Sequence, residues 1–498
     1  MRIYWLNPPI SVRTLVADTA WINFSAVLNA HEWIMPIIDW EPYETVDDVV
    51  AEIVSHSPDI VCLSTYLWNE RLCLEVAAQL KDSGIVIVRG GPHQTGFQHI
   101  HYNCPPLATG EVFLKVLLDN LSKGNTEHPS LAIKQKYDFP ASSTLEYNIE
   151  YLTNVAGTAK KLKKTSVAHL ETTRGCPYSC TYCEWGGGIG TKISQKPLDV
   201  VIKEVDLLSV LGYGNVDIID ANFGILSRDV DIVQRIADNK KMFGYPANLL
   251  IYGIAKVKAE KREQILDIVF ENSLMDYYSL SIQTTSEEAL ANVKRTDIRL
   301  EENLKLAKKY AEKYNKHGKL EMILGLPGST LNDFYNEMDL VLHTKFWDWS
   351  RGPLSVLPAT ELANPLYQKL HKIKTAKVGI TENDDNDIKF YSNCVLTKFK
   401  SPQEFVVESY SFTREEWKEM FFMNYAQRAV GPRLTADQTP SIEMRKFYQS
   451  IQSQEWFKNI KTEIDKIAAG ERLDQDFLLF DGLRIEDWVE RYLNGLDN

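Results

Sequence analysis

Residues Cys176-Pro-Tyr-Ser-Cys180-Thr-Tyr-Cys183 place three thiols in a CxxxCxxC spacing, after an apolar, β-branched run at 167–172 and before the glycine-rich Glu184-Trp-Gly-Gly-Gly-Ile-Gly190. A loop this short can aim three thiolates at one cubane, and soft thiolate sulfur is the ligand that iron–sulfur clusters select. Three cysteines for four irons leave one iron with an open position, where a small chelating molecule can sit. A zinc knuckle or a chance run of cysteines is the alternative. Zinc closes its shell with four Cys or His ligands in paired spacings, and no His or Cys lies close behind Cys183.

Outward from this loop, 498 residues suffice for two or three domains with sizeable cores. A composition of 44% hydrophobic and 24% charged residues is that of an ordinary globular protein. The formal net charge of −12 argues against a nucleic-acid binder, because neutralising phosphates needs clustered Lys and Arg. Lys160, Lys161, Lys163 and Lys164 form one basic run, read as a solvated linker face. Seven cysteines, three of them in one motif, fit a reducing compartment, with Cys62, Cys73, Cys104 and Cys394 as buried apolar residues. The apolar run of Met1-Arg-Ile-Tyr-Trp-Leu-Asn-Pro-Pro is too short for a signal peptide. No stretch approaches the ~20 apolar residues of a membrane helix, so a cytoplasmic location is expected.

The predicted fold class is α/β. Residues 1–121 alternate strands at 3–6, 60–65 and 85–89 with helices at 46–55 and 70–83, a βαβ rhythm whose near-continuous apolar strands predict a doubly wound, Rossmann-like parallel sheet. Ligands bind such sheets beyond the carboxyl ends of the strands. Those ends carry Ser64-Thr-Tyr66-Leu-Trp68-Asn69, Gly90-Gly91-Pro92-His93 and Gly110-Glu111. Their glycines allow close approach of backbone to a bulky ligand. Residues 122–162, with Pro129, Pro140 and Ser142-Ser143-Thr144, read as a connector. Residues 163–362 supply further strands at 216–220, 249–252, 277–283, 319–324 and 354–357, and helices at 198–211, 261–272, 287–293, 300–317 and 331–343. That is about six βα units, a partial TIM-type barrel with its site at the carboxyl ends of the strands. Residues 363–498 read as a mainly helical, aromatic-rich cap for substrate selection. Its helices are expected at 405–410, 415–428, 442–451, 456–468 and 485–496, with a short strand at 477–480 and Trp417, Phe421, Phe422 and Tyr425 as a core stripe.

CxxxCxxC with Tyr182 before the last cysteine resembles the signature of the radical S-adenosylmethionine (SAM) enzymes. The resemblance implies a 4Fe-4S cluster on Cys176, Cys180 and Cys183, SAM chelated to the open iron, and reductive cleavage to a 5′-deoxyadenosyl radical. It also implies an external electron donor of the flavodoxin or ferredoxin type. Carried onto this chain, it assigns Tyr182 to SAM binding and sets Asp220 and Asn222 at the SAM amino group. Gln283 and Thr284 fall at the ribose or carboxylate, and the Gly325-Leu-Pro-Gly328 turn and Leu357-Pro358 fall at the adenine.

Placed before such a core, Ser64, Tyr66, Trp68, Asn69, Gly90, Gly91, His93, Gly110 and Glu111 resemble the cobalamin-binding domain of the B12-dependent subclass. No Asp-x-His-x-x-Gly is present, so Trp68 or a neighbour is the candidate for a non-coordinating lower face of cobalt. Trp68 as a core aromatic and His93 as a structural histidine are the alternatives. The domain order resembles the cobalamin-dependent radical SAM methyltransferases over roughly three quarters of the chain. This implies methyl transfer from SAM through methylcobalamin to an unactivated carbon of a natural-product intermediate or peptide. A rearrangement or ring closure without methyl transfer, a cobalamin sensor with an inactive barrel and a tRNA-modifying role are the alternatives, the last weakened by the acidic charge.

Overall fold

Runs of β-branched and apolar residues become parallel strands, and the amphipathic segments between them become helices. The computed structural model describes residues 1–6, 14–17, 19–34, 45–66, 69–92, 94, 98–105, 109–129, 138–187, 193–251, 254, 257, 259–295, 300–342, 347–378, 403–471 and 483–494. The chain forms two units, one built from Met1–Ser179 and Cys183–Asp276, the other from Cys180–Tyr182 and the described residues from Tyr277 onward.

The first unit starts with strands β1 (Arg2–Leu6), β2 (Thr14–Ala17), β3 (Glu32–Ile34), β4 (Ile60–Ser64), β5 (Val86–Gly90) and β6 (Tyr102–Asn103). Five of these form a wholly parallel sheet in the order β3-β1-β4-β5-β6. Helices Val46–Ser55 and Glu70–Leu80 cover it, burying Val49, Ile53, Leu72, Val76 and Leu80 against Tyr4, Leu6, Val61, Leu63 and Ile87. A capping box opens the first of these helices: Thr45 caps the Asp48 N–H, and the Asp48 carboxylate accepts from the Thr45 N–H in return.

β2 leaves this sheet. It pairs in parallel with β7 (Thr165–Leu170), the strand that leads to the cysteine loop. β8 (Thr173–Arg174) and β9 (Ser194–Gln195) form a small antiparallel pair, and β10 (Asn215–Ile218) and β11 (Asn248–Ile251) complete a second parallel sheet, β11-β10-β7-β2. Between the two sheets the connector holds helices Thr144–Tyr147 and Ile149–Lys161. Asn148 donates to the Ile22 carbonyl, Thr144 to Asn23, and Tyr213 to the Leu152 carbonyl, so this segment is integral to the unit.

In the second unit, β12 (Tyr277–Gln283), β13 (His317–Leu324) and β14 (Trp347–Pro353) form a parallel sheet. The chain is therefore α/β with βα alternation as expected, but two expectations are corrected. The sixth strand is not 354–357: Trp-Asp-Trp-Ser-Arg-Gly-Pro at 347–353 pairs along the length of β13, although its charges and glycine hide it from an apolar-run criterion. Residues 405–410 are not helical: β16 (Gln403–Glu408) pairs antiparallel with β15 (Lys374–Val378), in keeping with the β preference of Phe405-Val406-Val407.

The later helices are Arg414–Val430, Pro440–Ser450, Glu455–Ala469 and Leu483–Leu493. The strand expected at 477–480 lies outside the described residues. Trp417 stacks on Phe421 at 5.0 Å and Phe421 meets Tyr425 at 5.3 Å, all three buried, so this aromatic stripe is core. Among the described residues no helix is long and apolar enough to cross a membrane. Truncating Phe422, buried edge-on against Phe457 at 4.9 Å, to alanine is expected to cost about 3–5 kcal/mol. A lowered denaturant midpoint for the second unit would register the loss.

Candidate active site

The cysteine loop is anchored from its base. Strand β7 ends at Leu170, and the next residues, Glu171-Thr-Thr-Arg174, are held by side chains from other parts of the first unit. Asp220, buried at the end of β10, accepts the Thr172 N–H at 2.7 Å, the Thr172 hydroxyl, and the Thr173 hydroxyl at 2.7 Å. Burial pushes its carboxyl up to about 6 despite these donors. Arg228 donates to the Thr172 carbonyl at 2.7 Å and to the Lys196 carbonyl. Arg174 donates to Glu171 at 2.7 and 2.8 Å and to Glu111 at 3.0 and 3.1 Å. Gly175 then turns the chain at φ 97°, a conformation open to glycine, and Cys176 follows.

Cys176 and Cys180 are buried and Cys183 is half-buried. Among the described residues no three His, Cys, Asp or Glu side chains gather as ligands of a single ion. A cubane needs no such convergence, since each thiolate takes a different iron. The remaining described thiols are unlike these. Burial pushes Cys62, Cys73 and Cys104 up to about 12, as inert apolar residues.

In the second unit the loop is met by a different set of groups. The Thr181 N–H donates to the Val293 carbonyl at 3.1 Å, the Leu362 N–H donates to the Thr181 carbonyl at 2.8 Å, and the Thr181 hydroxyl meets Tyr367 at 3.2 Å. Arg295 donates from Nη1 to the Tyr182 hydroxyl at 2.9 Å and from Nη2 to the Ser281 carbonyl. It is 7% exposed, and among the described residues its Nε has no partner and no carboxylate pairs with it. A buried guanidinium without a counter-ion is costly. Its chemistry suits an arriving carboxylate, and neither its position nor its isolation was visible in the sequence.

Gln283 ends β12 with φ 67°, beside a shift of register between Ser281 and Gln283. The left-handed region is uncommon for a non-glycine residue. Its neighbour Thr284 is engaged elsewhere: its hydroxyl donates to Glu337 at 2.7 Å, and Glu337 also pairs with buried Arg351 at 2.7 Å. Gly328 (φ 100°) answers to its own packing, since a Cβ there would lie 2.6 Å from Asn292 Nδ2, and Gly325 is held at φ 89°, a conformation open to glycine. Pro358 is exposed and stands in a turn beyond β14. Asn222 is buried next to Phe223.

At the first sheet, β4 and β5 end level, with Ser64 opposite Gly90. Asn69 closes the Ser64–Tyr66 turn, donating to the Ser64 carbonyl at 2.9 Å and accepting the Tyr66 N–H at 2.7 Å. Gly91 (φ 100°) is required by the backbone of Thr65, whose oxygen a Cβ would approach to 2.1 Å, and a Cβ on Gly110 would come within 3.0 Å of Phe24. Gly90 differs: among the described residues the nearest atom to a Cβ there is Cys104 Cβ at 3.9 Å, an ordinary contact. Glu111 is occupied by Arg174. Trp68 and His93 lie outside the described residues.

A carboxyl held above its unfolded value of about 3.9 favours the folded state most below that value, and the contribution is lost as pH rises through about 6. Asp220→Asn is expected to flatten this pH dependence of stability between the two values, read as denaturant midpoints below and above the window.

Residues 170–341 match the Radical SAM superfamily. The cobalamin-dependent radical SAM methyltransferase TokK of Streptomyces tokunonensis is 27% identical over 410 residues, 77% of this chain and 59% of that protein. The 2-(S-pantetheinyl)-carbapenam-3-carboxylate methyltransferase of Streptantibioticus cattleyicolor is 25% identical over 399 residues, 76% of this chain and 57% of that protein. The chain thus spans less than two thirds of either relative. The fold is similar to that of the radical SAM methyltransferase TsrM from Kitasatospora setae, at a TM-score of 0.58 and 15% identity over 84% of this chain and 88% of that one. It is also similar to that of the cobalamin-dependent SAM radical enzyme OxsB, at a TM-score of 0.58 and 12% identity over 99% of this chain and 79% of that one. With its cysteine loop at the end of a parallel strand and βα units following, the stretch 170–341 is a radical SAM domain.

Proposed function

We propose that this protein is a cobalamin-dependent radical SAM methyltransferase that acts on an unactivated carbon of a natural-product intermediate or peptide. The observation that carries the reading is the anchored CxxxCxxC loop of a radical SAM domain preceded by an open, wholly parallel five-stranded sheet. Two relatives named as methyltransferases match over three quarters of the chain, which supports it. When bound, cluster, SAM and cobalamin supply the electron, the hydrogen-abstracting radical and the methyl carrier.

The chain's own residues hold and orient. Cys176, Cys180 and Cys183 are the thiolate ligands, and Asp220, Arg228 and Arg174 keep the base of their loop rigid. Arg295 is the partner for the SAM carboxylate, with Tyr182 fixing one edge of its guanidinium. Gln283 is the polar contact for the ribose, and Asn222 for the amino group. Asp220 and Thr284 stand behind these groups as supports, because their oxygens are already engaged. Beyond the ends of β4 and β5, Ser64, Tyr66 and the open face of Gly90 receive the corrin. The reading also includes an electron donor of the flavodoxin or ferredoxin type and a reducing, cytoplasmic setting.

Arg295→Met is expected to raise the Kd for SAM by roughly 10- to 100-fold, the worth of a hydrogen bond between charged groups. Iron content should be unchanged and Arg295→Lys should fall between. The test of the whole reading is anaerobic purification with hydroxocobalamin supplied, followed by iron, sulfide and cobalt analysis and product mass. Both metals, and a product heavier by one methylene unit, are expected. Gly90→Val, which suits strand backbone but fills the open face, should lose cobalt and keep iron. Iron without cobalt in the parent protein would retract the methyltransferase assignment, and turnover without mass gain would point to rearrangement.

A further inference from the structure

Glu111 sits in the first turn of the helix Gly110–Ser122, following the edge of the first sheet. Its carboxylate does not face an open ligand position: both oxygens accept Arg174 Nη1, at 3.0 and 3.1 Å, while Arg174 Nε and Nη2 grip Glu171 at 2.7 and 2.8 Å. The three side chains are 8–19% exposed. Phe139 lies under the guanidinium, its ring centroid 5.7 Å away. Beside the triad, buried Lys196 is paired to buried Glu204 at 2.7 Å. Two carboxylates around one guanidinium leave the triad with a formal charge of −1. Arg174 precedes Cys176 by two residues, so the Cα atoms of the two lie within about 7 Å of each other. Even exposed charges act over ~8–10 Å, and a part-buried triad is screened less.

We propose that Glu111 and Arg174 are positioning residues of the cysteine loop, locking the loop to the helix at the edge of the first sheet and setting the local charge against which the cluster is reduced. The inference rests on the reading of Cys176, Cys180 and Cys183 as cluster ligands and departs from the expectation that Glu111 touches cobalamin. Adding an electron to a cluster is harder beside net negative charge. Removing one carboxylate charge therefore favours the reduced cluster, and removing the guanidinium disfavours it. A purely structural pair would not produce shifts of opposite sign.

The experiment is an anaerobic, EPR-monitored redox titration of the full-length, reconstituted protein, with iron content and cobalamin affinity measured alongside. Glu111→Gln is expected to raise the midpoint potential of the cluster and Arg174→Met to lower it, with Arg174→Lys closer to the parent than Arg174→Met. The exchanged pair Glu111→Arg with Arg174→Glu, which keeps the net charge, should return the potential toward the parent value. Shifts of the same sign, or no shift with full iron occupancy, overturn the proposal. So does Glu111→Gln weakening cobalamin binding with the potential unchanged. If the single variants lose iron and neither Arg174→Lys nor the exchanged pair restores it, the pair is structural only and the proposal falls. A parent protein that assembles no cluster would refute the reading of the cysteines instead.

Discussion

A buried carboxylate at the end of one strand holds the end of the next. Asp220 takes its donors from Thr172 and Thr173, so β7 and β10 finish together and the chain leaves them at a defined place. A ligand loop of eight residues has no core of its own, and its geometry is borrowed from what fixes its ends. Here those ends are fixed by polar side chains in buried surroundings, where each bond is strong and each missing partner expensive. The elevated carboxyl of Asp220 is the physical trace of that choice.

Glycines divide into two kinds by what surrounds them. Gly91 and Gly328 are demanded by backbone conformation and by neighbours that leave no room for a Cβ. Gly90 has ordinary backbone, and among the described residues nothing closer than 3.9 Å meets a Cβ placed on it. The same sorting applies to the polar residues. Asn69, Glu111, Asp220 and Thr284 spend their hydrogen-bonding capacity on the protein itself. Arg295 retains a buried N–H that has no partner among the described residues. Unsatisfied capacity in a buried place is a better guide to a binding role than residue type or position along a strand.

The aromatic density of the last hundred residues follows from packing. Trp417, Phe421 and Tyr425 repeat at four-residue intervals on one helix and stack along it within a core that also takes in Phe405, Val406 and Val407 of β16. That core belongs to the second unit.

Local chemistry made much of this protein legible from sequence. The spacing of Cys176, Cys180 and Cys183, the βα alternation, and amphipathic helices such as Val46–Ser55 depend on residues close together in the chain, and that helix stands in the structure where the pattern puts it. Tertiary structure alone decided what depends on distant partners. β14 is a strand because β13 lies beside it, despite a composition that argues against one. Residues 403–408 are a strand because β15 pairs with them, where a helix was the expectation. Glu111 meets Arg174 across 63 positions of sequence, and Arg295 meets Tyr182 across 113. Whether a polar residue is a support or a binding group turns on whether such a partner has already taken its hydrogen bonds, and nothing within a few residues of it carries that information.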